Sequence, residues 1–126
     1  MKSRMNVNID TKVFWQEERK LCIGAAGNTG PKCLFVLRDK GYSLSYYTVE
    51  SKSQDGSVNY SETYDAKKDG RFFSAGTPEE LLGLIAMWEM RGDGWQKHTD
   101  EEWDFFEKFQ DEALIIDESG NDVTDE

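Results

Sequence analysis

The sequence predicts one small domain of α/β to α+β class: a β-α-β unit, then an antiparallel β-meander, then two C-terminal helices packed on the sheet. Three observations predict it. Leu21 to Tyr42 runs from a short apolar stretch through a glycine loop into a helix opened by Pro31 and closed by Gly41. Residues 42–75 hold three stretches of alternating apolar and polar residues joined by Gly-containing turns, the pattern of half-buried antiparallel strands. Two Thr-x-x-Glu signatures, Thr77–Glu80 and Thr99–Glu102, each lead into an apolar-periodic run, as a capping box does at a helix start.

Taken in order, residues 1–10 are polar, and Asp10 or Thr11 can cap a short helix through Val13, Phe14 and Trp15 towards Arg19, or the same residues can form a strand. Leu21 to Ile23 has the length of a short buried strand. Gly24 to Gly30 is loop. In the helix from Pro31, the side chains of Cys33, Leu34, Val36 and Leu37 form the inward face. Tyr42 to Val49, Val58 to Tyr64 and Arg71 to Ala75 are the strands, with Asp55-Gly56 and Asp69-Gly70 as turns. The next helix starts at Pro78, the first helical position, where a missing N–H costs nothing. Its residues Leu81, Leu84, Ile85 and Trp88 recur at helical spacing on one face, and Leu82, Met87 and Met90 add apolar surface elsewhere. Gly83 in its interior costs about 1 kcal/mol relative to alanine, which suggests that another backbone packs close there. The last helix runs from Thr99 towards Ala113, with Trp103, Phe106 and Phe109 or Gln110 inward and Phe105 partly exposed; Leu114 to Ile116 adds a short strand. The domain is expected over 1–116, with 117–126 an acidic, disordered tail.

The charge is unevenly placed. The chain carries a net charge of -10, with 25 acidic and 15 basic residues. Residues 100–126 hold 12 of those acids against the single base Lys108, so the remainder is nearly neutral. That distribution disfavours nucleic-acid and anionic-membrane binding, which need a basic patch, and suits a basic partner protein. There is no apolar run of the roughly 20 residues that span a bilayer and no apolar segment after Met1-Lys-Ser-Arg of the kind a secretory signal needs, so a cytoplasmic location is expected. Cys22 and Cys33 are too few for a disulfide framework and read as free thiols, a bridge between them remaining open.

The loop Gly24-Ala-Ala-Gly27-Asn28-Thr-Gly30, with the helix and strand that follow, resembles the first βαβ unit of atypical short-chain dehydrogenases and related NAD(P)-binding proteins, whose loop reads G-A-T-G-x-T-G. The resemblance covers residues 20–50. It implies a nucleotide or phosphate ligand whose pyrophosphate lies on Gly24, Gly27, Asn28 and Gly30 at the helix N-terminus, with Glu50 holding ribose hydroxyls. The rest of that family's pattern is missing: two antiparallel strands follow where a helix and a parallel strand belong, and Tyr64 and Lys68 have the spacing of its catalytic pair on a strand and a turn.

No catalytic group is nominated. His98 is the only histidine, which excludes a multi-histidine metal site, and Asp117-Glu-Ser-Gly-Asn-Asp122 has its glycine two positions early for a calcium loop. The last helix is the feature that suggests a function. Asp104, Phe105, Glu107, Lys108, Asp111 and Glu112 would form an aromatic, carboxylate-rimmed face for a basic protein. The leading expectation is a non-enzymatic protein-binding protein of the general type of a bacterial immunity protein. The alternative is a small nucleotide- or phosphate-binding protein using the glycine loop.

Overall fold

The structure, a computed structural model, describes residues 13–14 and 17–125. Its elements are α1 (Thr29–Asp39), β1 (Ser43–Lys52), β2 (Val58–Lys68), β3 (Arg71–Ala75), α2 (Pro78–Arg91) and α3 (Asp100–Asp111). The chain is mixed α/β, with three helices and a three-stranded antiparallel sheet in the order β1-β2-β3. Residues Ile23–Trp95 form one compact unit; the segments up to Cys22 and from Gln96 form another. The expected element before Leu21 falls largely outside the described residues.

The meander is present and the β-α-β unit is not. Leu21 and Ile23 are about three-quarters exposed, at 74% and 75%, and belong to no strand. A parallel crossover needs a neighbour for its first strand, yet among the described residues β1 pairs with β2 alone. Three apolar residues between Lys20 and Gly24 bury too little to order a strand that has no ladder. The helix therefore comes first and the three strands follow it. Of the two C-terminal helices, α2 packs on the sheet, whereas α3 lies in the other unit.

β1 and β2 pair over ten residues, from Ser43 opposite Lys67 to Lys52 opposite Val58. β3 covers only Tyr64 to Lys68. Half of the hairpin thus projects as a two-stranded ribbon, closed by a turn in which Asp55 accepts from the Ser57 N–H at 2.9 Å and from the Ser53 and Ser57 hydroxyls at 2.6 Å each.

α1 and α2 lie side by side and parallel. Their starts meet where the Gly30 position abuts Pro78, and their ends meet in the Lys40–Glu89 ion pair at 3.1 Å. The core between them and the sheet consists of Leu37, Tyr42, Ala66, Leu81 and Ile85, extended by Tyr64, Phe73, Ala75 and Leu82. Phe73 bridges two rings, edge-on to Tyr42 and tilted against Trp88. Asp93, just past α2, accepts from Arg71 Nε and Nη2 at 2.8 and 2.6 Å and from the Trp88 indole N–H at 2.8 Å, tying the helix end to the start of β3. Those donors hold the Asp93 carboxyl well below the usual carboxylate range.

Three expectations for helix faces are corrected. Val36 and Leu84 are exposed, because the inward arc is narrowed to Leu37 on α1 and to Leu81 and Ile85 on α2 by a sheet only three strands wide. Met90 points into solvent. Gly83 has no close neighbour; a Cβ there would meet nothing within 4 Å. Gly83→Ala should therefore raise stability by about 0.5–1 kcal/mol through helix propensity. Leu81→Ala should cost about 2–5 kcal/mol. Urea titration followed by Trp fluorescence measures both.

Candidate functional site

The glycine loop leads into α1. Asn28 is the N-cap, with φ -95° and ψ -3°, and its side chain makes no capping hydrogen bond. Thr29 Oγ1 does the local work, accepting from the Ala26 N–H at 3.0 Å and donating to Glu79 Oε2 at 2.6 Å. α1 has no acid in its own first turn, whereas α2 has Glu79 and Glu80 in its first turn. Glu79 thus brings negative charge to two adjacent helix starts, where the macrodipoles favour it. The Thr29 hydrogen bond holds the Glu79 carboxyl below its ordinary pKa, and Glu79 together with burial pushes the nearby Cys33 thiol up, burial being the larger cause.

Gly30 is buried because Pro78 lies against it. A Cβ on Gly30 would sit 3.4 Å from Pro78 Cγ and 3.8 Å from Glu79 Oε2. Gly24 and Gly27 are exposed, with no atom within 4 Å of a built Cβ. The loop does border an open cleft of about 330 Å³, lined among others by Gly27, Gly30, Glu62, Tyr64, Thr77 and Glu79. Its charged lining residues are the two carboxylates; Glu62 Oε1 accepts from the Tyr46 hydroxyl at 2.7 Å, which pushes the Tyr46 phenol up. A phosphate entering there would meet two anions and would have to displace Glu79 from Thr29. Glu50, the expected ribose ligand, lies on the projecting ribbon opposite Tyr60 and does not line this cleft. Tyr64 and Lys68 lie on one strand with Tyr64 half-buried in the core and Lys68 bonded to the Lys40 carbonyl at 2.5 Å.

α3 is the other candidate. Its start is a complete capping box: the Glu102 N–H donates to Thr99 Oγ1 at 3.2 Å and the Thr99 N–H to Glu102 Oε2 at 2.8 Å. No residue of α3 is buried. The expected rotation of the helix is corrected. Trp103, Phe106 and Phe109 are 59%, 48% and 55% exposed, and Phe105 is the half-buried ring. Glu101, Glu102 and Glu112 share its intermediate exposure, so the sheltered side is centred near Phe105 and the main aromatic stripe faces outward. At about 100° per residue the four rings span roughly 160° of the helix. They interlock in pairs, Trp103 with Phe106 and Phe105 with Phe109, each 5.9 Å between centroids. Asp104, Glu107, Lys108 and Asp111 are exposed on the remaining face, Phe105 and Glu112 are partly sheltered, and Trp103 and Phe106 are the more open rings, which a sequence-based assignment of the widest apolar arc to the interior conceals.

Beyond α3, the acidic segment carries local order. Ile116 and Asp122 form a β-bridge, and Asp117 Oδ1 accepts from the N–H groups of Ser119 and Asn121, each at 2.9 Å. Those bonds hold the Asp117 carboxyl low and use it as a turn former. Among the described residues no group of three or more His, Cys, Asp or Glu side chains is arranged to hold a metal ion, and no helix is long and apolar enough to cross a membrane. Comparison with family models, with curated proteins and with solved structures yields no significant match.

Because the folded-state pKa of Glu79 is depressed, its contribution to stability is complete above the unfolded value of 4.5 and is lost as pH falls below it. Glu79→Gln should therefore lower the urea midpoint at neutral pH, and the gap to the parent chain should close as pH drops through 4.5. Titration with NAD, NADP or ATP to millimolar levels should leave Trp fluorescence without a saturable change.

Proposed function

We propose that this chain is a non-enzymatic, cytoplasmic protein-binding protein that docks a basic partner through α3, of the general type of an immunity protein. The observation that supports this reading is the outward stripe of Trp103, Phe106 and Phe109 beside the exposed carboxylates of Asp104, Glu107 and Asp111. Large rings left in water cost free energy that burial against a partner would recover, at about 25 cal/mol per Å² of apolar surface. Aromatic anchors with a charged rim are the anatomy of a protein interface: the rings provide affinity and the rim provides orientation and association rate. The net charge of residues 100–126 selects a basic partner. The half-buried Phe105 would support the face from behind, packed on Phe109.

The test is capture of a basic protein from native lysate on the immobilised full chain, followed by titration of the captured protein in solution. Trp103→Ala and Phe106→Ala should each weaken binding by about 2 kcal/mol, roughly thirtyfold. Exchanging Asp104, Glu107 and Asp111 for their amides should slow association and remove most of its salt dependence. Binding that ignores salt and all these substitutions would sink the reading.

A further inference from the structure

We propose that β1 is a pairing edge, and that it joins antiparallel to β1 of a second copy of this chain to make one continuous six-stranded sheet. The proposal concerns the sheet unit and stands apart from the α3 reading.

β1 is an outer strand of the sheet, and all ten of its residues are exposed. Its pairing with β2 runs without a bulge, and it contains no proline. Leu44-Ser-Tyr-Tyr-Thr-Val49 is uncharged and rich in β-forming residues. Natural edge strands are shortened, bulged, charged or covered, because their free N–H and C=O groups template another strand. This one has charge only at Glu50 and Lys52, at its far end. That end also lacks support on the other side: β3 stops opposite Tyr64, so residues 47–52 and 58–63 make a bare two-stranded ribbon. Such a ribbon is marginal in water, and a third strand is what it needs.

A second copy fits this edge in register and in charge. A twofold axis through Thr48 keeps each face of the sheet continuous, because side chains alternate with a period of two. It sets Tyr47 opposite the partner copy's Val49, twice, an aromatic–β-branched pairing. It sets Tyr46 opposite Glu50 and brings no like charges face to face. The antiparallel sense also lays the ribbon tip of each copy along the base of the other. The tip carries Glu50 and Asp55 against Lys52; the base carries Arg38, Lys40, Lys67 and Lys68 against Asp39, Asp65 and Asp69. Net negative therefore meets net positive. Tyr46 and Tyr47, each about half open at 55% and 42%, offer on the order of 400 Å² of ring surface over both copies. The ten-residue backbone strips add to this towards the roughly 1,000 Å² of a specific interface.

The register makes the test sharp. Thr48 of one copy would lie opposite Thr48 of the other, with Cα atoms about 4.5–5.5 Å apart, inside the range that a disulfide bridges. Two Ser51 residues would be about 20 Å apart at roughly 3.4 Å per residue. With the exposed Cys22 changed to serine throughout, Thr48→Cys should form a covalent dimer under mild oxidation, and Ser51→Cys should form no more than the Cys22→Ser chain alone. Light scattering over a wide dilution series should give a dimer for the parent chain and for Trp103→Ala. Val49→Lys should raise its dissociation constant about tenfold or more, with an unchanged circular dichroism spectrum confirming the fold. A chain that stays monomeric at every concentration, or that crosslinks equally at 48 and 51, leaves the edge to a foreign strand and overturns the dimer. Loss of the dimer in Trp103→Ala would likewise overturn it by placing the contact on α3.

Discussion

Two parallel helices laid on a three-stranded meander depend on what happens where both helices begin. Parallel packing brings two positive macrodipole ends together, an arrangement that is unfavourable unless negative charge sits between them. One side chain answers for both: Glu79 belongs to the first turn of α2 and accepts the Thr29 hydroxyl at the first turn of α1. The same contact brings Pro78 up to Gly30, where a Cβ would sit 3.4 Å from Pro78 Cγ. At the opposite ends the charge reverses, with Arg38 and Arg91 in the last turns and Lys40 paired to Glu89. The helices can then close Leu37, Leu81 and Ile85 over Tyr42 and Ala66.

This constraint explains why the core lies at one end of the sheet. β3 is short and α2 covers it together with the adjoining part of β2, so burial is concentrated around Ala66 and Phe73, and the distal hairpin is left as a ribbon. Asp65 lies on the opposite face of the middle strand from Ala66. It is buried and, among the described residues, its Oδ1 has no hydrogen-bond partner; its carboxylate pushes the Tyr47 phenol up in pKa. A buried acceptor left without a donor destabilises a fold by about 1–3 kcal/mol.

The surfaces to which the two proposals assign binding are those the core does not reach. The cleft beside the glycine loop presents carboxylates, so it is a poor seat for phosphate. α3 and the β1 edge instead leave rings in solvent, and apolar rings in solvent are surfaces that gain by being covered. Their geometries call for different partners. A helix face with acids beside its rings suits a basic protein, whereas an unpaired strand edge suits another strand.

Local patterns in the sequence were sufficient for the meander, its turns, and both capped helices: alternation over 42–64, Asp-Gly at 55–56 and 69–70, and Thr-x-x-Glu at 77 and 99 are interactions among near neighbours. The charge separation between the body and residues 100–126 was equally legible. What depended on long-range contact was not. Leu21 to Ile23 has a strand's composition, but a strand needs a ladder, and whether one exists is decided elsewhere in the chain. A glycine loop before a helix has the same local form whatever approaches it; that Pro78 packs on Gly30 is visible only in the tertiary structure. The rotation of α3 followed the same rule. Apolar periodicity determines that a helix has a ring-bearing side; it does not say which part of that side is sheltered, and in α3 that part is centred on Phe105.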